Sequence, residues 1–151
     1  MKIFRFLFFA LACLFMGGCT KMTVEDQASD AYWFSRLRQE VLYIDKEHSA
    51  FIRQGVSWRL GEKESSPSVV YRNGNATSFP YTLEDNRFVF EEGTWTNMVH
   101  YEEAWFDPVG NLIVKCVQLH PNGDSYVKDT RPEGTWEVIY TRQDMSFLGE
   151  W

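Results

Sequence analysis

From about residue 55 onward, turn signals punctuate the chain every ten to thirteen residues, and apolar residues alternate with polar ones between them. No other feature restricts the fold as much. A period of two marks a strand, and connections this short join only antiparallel neighbours. Val56, Trp58 and Leu60 alternate with Ser57 and Arg59, and the polar run 61–67 follows as a loop. Phe79, Tyr81 and Leu83 alternate on the next long segment, where Pro80 suits an edge or a bulge, and Phe88 and Phe90 on another. Asn73-Gly74 has the composition of a type I′ hairpin turn, because both central positions of that turn need positive φ. Glu84-Asp85-Asn86 turns the chain again. Two internal echoes extend the pattern. Pro108, Gly110, Val114 and Lys115 recur thirteen residues later as Pro121, Gly123, Val127 and Lys128, and Glu92-Gly93-Thr94-Trp95 recurs as Glu133-Gly134-Thr135-Trp136. The spacing predicts a mainly β (α+β) fold in which residues 55–151 form an antiparallel meander of about eight strands, closed as a small barrel or a barrel-like sheet. Leu112-Ile113-Val114 is apolar on both faces, so that strand needs a cover on each side.

The preceding residues have a different period. Thr23 with Asp26 three positions on resembles a capping box, with Glu25 and Asp26 complementing the positive end of a helix. Ala31, Phe34, Leu37, Val41, Ile44, His48 and Phe51 then recur at spacings of three and four. They predict an N-terminal helical segment over 25–54, stopped at Gly55, with a break near Asp45-Lys46-Glu47 because the span is long. This helix would cover the sheet. Trp33 and Tyr43 lie off the apolar stripe, either on a wider buried face or on an exposed patch that meets a partner.

The first eighteen residues do not belong to the fold. Lys2 and Arg5 precede the apolar run 6–15, which is too short to span a bilayer and reads as an export signal. Its end, Leu14-Phe15-Met16-Gly17-Gly18-Cys19, resembles the lipobox of bacterial lipoproteins, with Met16 in place of the usual Leu. The resemblance implies a signal peptide over 1–18, acylation at Cys19 and a lipidated tether over 19–24. It also implies a cell-envelope location, and Thr20 after the cysteine favours the outer membrane, facing the periplasm. At about 0.8 kcal/mol per buried CH₂, more than one acyl chain holds a domain on a membrane lastingly.

Charge and cysteine content narrow the chemistry. Loss of Lys2 and Arg5 with the signal moves the formal charge from -6 to -8, which disfavours phosphate backbones, so nucleic acid is not an expected partner. With Cys13 removed and Cys19 acylated, Cys116 is the one free thiol, and no internal disulfide or four-cysteine zinc site forms. Cys116 and His120 on one strand would be separated by about 13 Å, too far for a nucleophile and its base. His100, Glu102, Glu103, Asp107 and His120 carry no metal-ligand spacing, and Asp107 to Asn111 and Asn122 to Asp124 lack the ligand alternation of a calcium loop. No catalytic residue, metal or cofactor is expected.

The grammar Pro121-Asn122-Gly123, Tyr126-Val127-Lys128, then Gly134-Thr135-Trp136-Glu137-Val138 resembles that of lipocalin-like domains in small bacterial lipoproteins, over residues 79–141. That resemblance implies a calyx able to hold an apolar small molecule. Six Trp, seven Tyr and twelve Phe supply the aromatic surface. Trp58, Trp95, Trp136, Tyr140, Phe88 and Phe90 are the interior candidates, which either line a cavity or fill the core. Two other classes of function remain: a small hydrolase, which would need a cleft in which His100 or His120 meets carboxylates, and an accessory subunit that supports an envelope protein partner. The latter would use Trp33, Tyr43, Phe147 and Trp151, the last two in an apolar tail that docks on the barrel or on another protein.

Overall fold

A computed structural model describes residues 21–59, 69–96 and 98–149, though not the side chains of Trp58, Arg59 and Val69. The signal peptide, Cys19, the loop 61–67 and Trp151 lie outside the described residues. A short helix, α1 (Val24–Ala28), precedes β1 (Tyr32–Ser35), β2 (Glu40–Asp45), β3 (Ala50–Arg59), β4 (Val69–Arg72), β5 (Thr77–Glu84) and β6 (Arg87–Phe90). Next come β7 (Trp95–Thr96), β8 (Val99–Phe106), β9 (Leu112–Asn122), β10 (Ser125–Lys128), β11 (Thr135–Gln143) and β12 (Leu148–Gly149). Strands β1, β2, β3, β5, β6, β8, β9 and β11 pair antiparallel in chain order, and β11 returns to pair with β1. The result is a closed, eight-stranded up-and-down barrel, the mainly β architecture predicted from the turn spacing. Closure leaves none of these eight strands with a free edge.

The helical reading of 25–54 is corrected. The cap is present, with the Asp26 N–H donating to Thr23 Oγ1 at 3.1 Å, but the helix ends after five residues. Asp30 then takes φ 55°, and β1, β2 and the first half of β3 occupy the rest of the span. The hairpin turns here have non-glycine residues in the left-handed region, Gln39 at φ 52° and Ser49 at φ 48°, so no glycine announces them. The break foreseen near Asp45 is the β2–β3 turn, where the His48 N–H donates to Asp45 Oδ1 at 3.3 Å. Alternation was hidden because these strands are buried on both faces. Trp33, Leu42 and Phe51 point into the barrel, while Tyr32, Val41 and Val56 form a second cluster outside it with Val70 and Leu148.

That outer cluster answers where the tail goes. β12 pairs parallel with β4, and Phe147 packs on Phe34 with ring centroids 5.0 Å apart. The tail therefore docks on its own barrel. Helix α1, by contrast, covers no sheet face. It plugs one end, called the lower end here, where Trp33 Nε1 donates to the Ala28 carbonyl at 2.9 Å and Tyr81 donates to Glu25 Oε1 at 2.5 Å. No helix among the described residues is long and apolar enough to cross a membrane.

Asn73-Gly74 is not a two-residue hairpin. β4 and β5 do not pair with each other; both pair with β3, β5 along Ala50 to Arg53 and β4 along Val56 to Arg59. The chain bends between them, with Gly74 at φ 75° and the Gln54 amide donating to the Asn73 and Gly74 carbonyls at 3.3 and 3.0 Å. Gly55 is no helix stop but the point on β3 where this bend comes closest. A Cβ there would lie 2.8 Å from the Asn73 carbonyl oxygen. Since backbone must shift to admit it, Gly55→Ala is expected to destabilise by about 1–3 kcal/mol, despite the smaller entropy it leaves to the unfolded chain. An unchanged urea midpoint would refute this.

Other turns are as read. Asp85 and Asn86 take φ 49° and 61°, a primed hairpin between β5 and β6, and Gly110 and Gly123 of the thirteen-residue echo take φ 91° and 61°. Leu112, Ile113 and Val114 are all buried, but Ile113 faces outward between its register partners Trp105 and Ile139 rather than under a helix.

Candidate functional site

Alternation on β2 sends Leu42 inward, and Glu40 with it, at the end of the barrel opposite α1. Glu40 is fully buried. Tyr101, which donates to Glu40 Oε1, stands on β8, four strands round an eight-stranded ring, so the bond crosses the bore. Tyr140 on β11 donates to the same oxygen at 2.6 Å, and Arg53 Nε on β3 donates to Oε2. Arg38, from the β1–β2 turn, lies with Nε 3.9 Å from Oε1 and donates to the Tyr101 oxygen from Nη2 at 3.1 Å. One carboxylate thus ties four strands and a turn together. Isolated in so apolar a place the charge would cost many kcal/mol; here its oxygens are met by charged and phenolic donors.

Below this polar layer the bore is filled. Phe51 meets Phe88 at 4.8 Å and Tyr81 at 5.7 Å between centroids, Phe79 meets Tyr101 at 5.1 Å, and Trp33 meets Phe106 at 5.1 Å, the Phe51–Phe88 and Phe79–Tyr101 pairs edge to face and the other two tilted. An eight-stranded barrel has room for about this filling, so the aromatic candidates Phe88, Phe90 and Tyr140 serve as core.

Burial and close charges fix the protonation states of the groups at the mouth. Burial, and then the Glu40 charge, hold the phenols of Tyr101 and Tyr140 above the ordinary tyrosine range, so both remain donors. Burial alone would lower the Arg38 guanidinium, but the Tyr101 oxygen and the Glu40 carboxylate outweigh it and the net shift is upward. Two guanidiniums face one carboxylate, leaving one positive charge in excess. Both are partly open, with side-chain exposures of 15% for Arg38 and 14% for Arg53. Among the described residues, Arg38 Nη1 and both Nη atoms of Arg53 have no hydrogen-bond partner. Cys116 lies within the field of this pair, but burial pushes its thiol up to about 12, so it is neutral.

The other sequence candidates fall in three places. Trp136, half-buried, packs against the interior cluster beside Cys116, its register partner on β9. Trp95 is corrected: it does not point inward but is 42% exposed on β7, with its ring 5.2 Å from that of Tyr126. The identical Gly-Thr-Trp tripeptides diverge because Thr135–Trp136 begins a strand of the closed barrel, whereas Trp95–Thr96 is a two-residue strand paired only with β8. Trp33, offered as a partner contact, is fully buried, and Tyr43 packs edge-on against Tyr32 at 5.4 Å. With Phe147 on Phe34, three of the four partner candidates are engaged within the chain itself.

His100 and His120 do not meet Cys116. His100 Nδ1 is 2.8 Å from the Thr94 carbonyl, and His120 Nε2 is 3.0 Å from Asp129 Oδ2. Asp107 accepts from the N–H groups of Val109 and Asn111 at 3.0 and 2.8 Å, which is a turn. Among the described residues, no group of three His, Cys, Asp or Glu side chains is placed to hold a metal ion. The Glu40 cluster was missed at the sequence level because its members are separated by 61 and 100 positions; the one available signal was a glutamate on an inward-facing register of a strand not yet recognised. Compared with family models, with curated proteins and with solved structures, the chain returns no match.

Proposed function

We propose that this protein is a membrane-tethered binding module that holds the carboxylate head of a small amphiphile at the upper mouth of its barrel. One observation carries the reading: the surplus guanidinium charge of Arg38 and Arg53 around a single buried carboxylate, in a chain of formal charge -6. Guanidinium forks already held by Glu40 and Tyr101 lose little freedom on meeting a second carboxylate. Trp136, half-buried at the edge of the interior cluster and paired in register with Cys116, offers the apolar part of the ligand a surface. The aromatic filling sets the depth, so the ligand sits at the mouth and its chain lies along the rim rather than down the bore. The lipocalin-like resemblance agrees with a closed barrel that binds at one end, and the lipobox-like stretch ending in Cys19 supports tethering to the outer membrane on its periplasmic side.

Dodecanoate should quench tryptophan fluorescence of the purified protein saturably, and dodecanol, of equal length but neutral, should bind at least about tenfold more weakly, a difference of about 1.4 kcal/mol. Arg38→Ala should erase the preference, and Arg38→Lys should restore it only in part, since an ammonium cannot fork. Equal binding of the two probes, or none, would sink the reading. The tether is tested separately: Cys19→Ser should release the protein from the membrane fraction, and its retention there would count against acylation.

A further inference from the structure

We propose a second binding site, outside the barrel, for the ring of a neutral sugar, in the groove between the β7 segment and the β9–β10 hairpin. The groove has a volume of about 440 Å³, and its walls are the rings of Trp95 and Tyr126, inclined at 55° to each other. These rings are 42% and 46% exposed, and Val127 beside them 46%. Neither β7 nor β10 belongs to the closed ring of strands, and they do not pair with one another, so the two aromatics are not needed to complete the barrel core. Large aromatics left open in a concave place are a binding surface by their geometry.

The polar lining selects the ligand class. Beyond Lys128 the groove runs into a second concavity of about 330 Å³ that shares Glu92, His100 and Lys128 with it. Lys128 Nζ lies 3.4 Å from Glu92 Oε1 and 3.5 Å from Glu102 Oε1, and Lys115 Nζ lies 3.1 Å from Glu102 Oε2. Every carboxylate in this chain of contacts has an ammonium beside it. Glu103, the third carboxylate of the lining, pairs with the Arg87 guanidinium at 2.9 Å, so the charges in and around the lining are compensated while it alternates strong acceptors with strong donors. At its floor the His100 Nδ1 faces the Thr94 carbonyl, which can only accept, so the ring proton sits on Nδ1 and Nε2 remains an acceptor. Burial, more than the nearby Lys128 charge, lowers the pKa of this imidazole and keeps it neutral. An aromatic wall beside charge-compensated donors and acceptors fits a molecule with one apolar C–H face and a rim of hydroxyl groups, which is a pyranose ring. Phosphorylated or acidic ligands would have to break the Lys–Glu pairs first.

The test titrates the purified full-length protein with three neutral probes, cellobiose, maltose and N,N′-diacetylchitobiose, following ¹H–¹⁵N shifts and the indole resonance of Trp95. At least one should saturate, with shifts confined to residues around Trp95, Tyr126 and Lys128. Trp95→Ala should weaken that binding at least about tenfold, the loss expected for one aromatic stacking partner. Trp95→Phe, which keeps a ring against Tyr126, should recover part of it and so separate loss of stacking from collapse of the hairpin. Absence of saturation with all three disaccharides, or undiminished affinity in Trp95→Ala with an unaltered spectrum elsewhere, overturns the proposal. Neither result depends on the mouth site, whose probes are the dodecyl compounds.

Discussion

Glu40→Ala is expected to lower the unfolding free energy by about 3–5 kcal/mol, measured as a fall in urea midpoint at unchanged slope. The substitution removes the only carboxylate in the cluster and leaves the Arg53 and Arg38 guanidiniums and two buried phenols facing one another. What is lost is less the attraction itself than the cost of stranding the partners in a low dielectric. For a domain whose whole stability is on the order of 5–15 kcal/mol, that is about a fifth or more. Glu40→Gln separates the terms, because its amide oxygen still accepts from one phenol while the charge opposite Arg53 is gone; a loss between that of wild type and of alanine is expected. If Glu40→Ala unfolds at the wild-type midpoint, the carboxylate does not tie the bore, and the mouth site loses its foundation as well.

Trp33→Ala carries a comparable effect for a different reason. The ring is fully buried, meets Phe106 at 5.1 Å and holds α1 in the lower end through its bond to the Ala28 carbonyl. Removing it opens a cavity where the helix plugs the barrel, and large aromatic truncations in cores cost about 3–5 kcal/mol. The outcome also decides between two placements of this residue. On an exposed patch, the same substitution would change stability by roughly 0.5 kcal/mol or less. Trp33→Phe keeps most of the volume but orphans the Ala28 carbonyl, so its cost should be smaller, of the order of a single hydrogen bond, about 1 kcal/mol.

The second half of the chain was legible because its turns carry residues that tolerate positive φ. Asp85-Asn86, Gly110 and Gly123 announce hairpins, and between them Phe88, Phe90 and Val114 point one way. Residues 25–54 were not legible, and the failure has a physical cause. The tail and β4 cover the outside of β1, β2 and β3, so Tyr32, Val41 and Val56 are apolar on the face that normally signals water, and period two disappears into a pattern that mimics a helix. The Asn73-Gly74 signal misled for a related reason: the dipeptide favours a tight reversal, but the strand it should have returned along is β3, not its own neighbour.

Local sequence, then, determined the strand-and-turn grammar, the cap at Thr23 and an aromatic supply large enough to pack a small barrel. These depend on φ preferences, short-range hydrogen bonds and composition, which act within a few residues. Closure of β11 on β1 and the meeting of Glu40 with Tyr101 and Tyr140 across the bore were decided only in three dimensions, as was the choice of which Gly-Thr-Trp would be buried. Each joins positions far apart along the chain, and no local preference fixes which distant strands become neighbours. Only burying both faces of the meander does that, because closing the ring leaves no strand edge unpaired and brings the inward residues of opposite strands together.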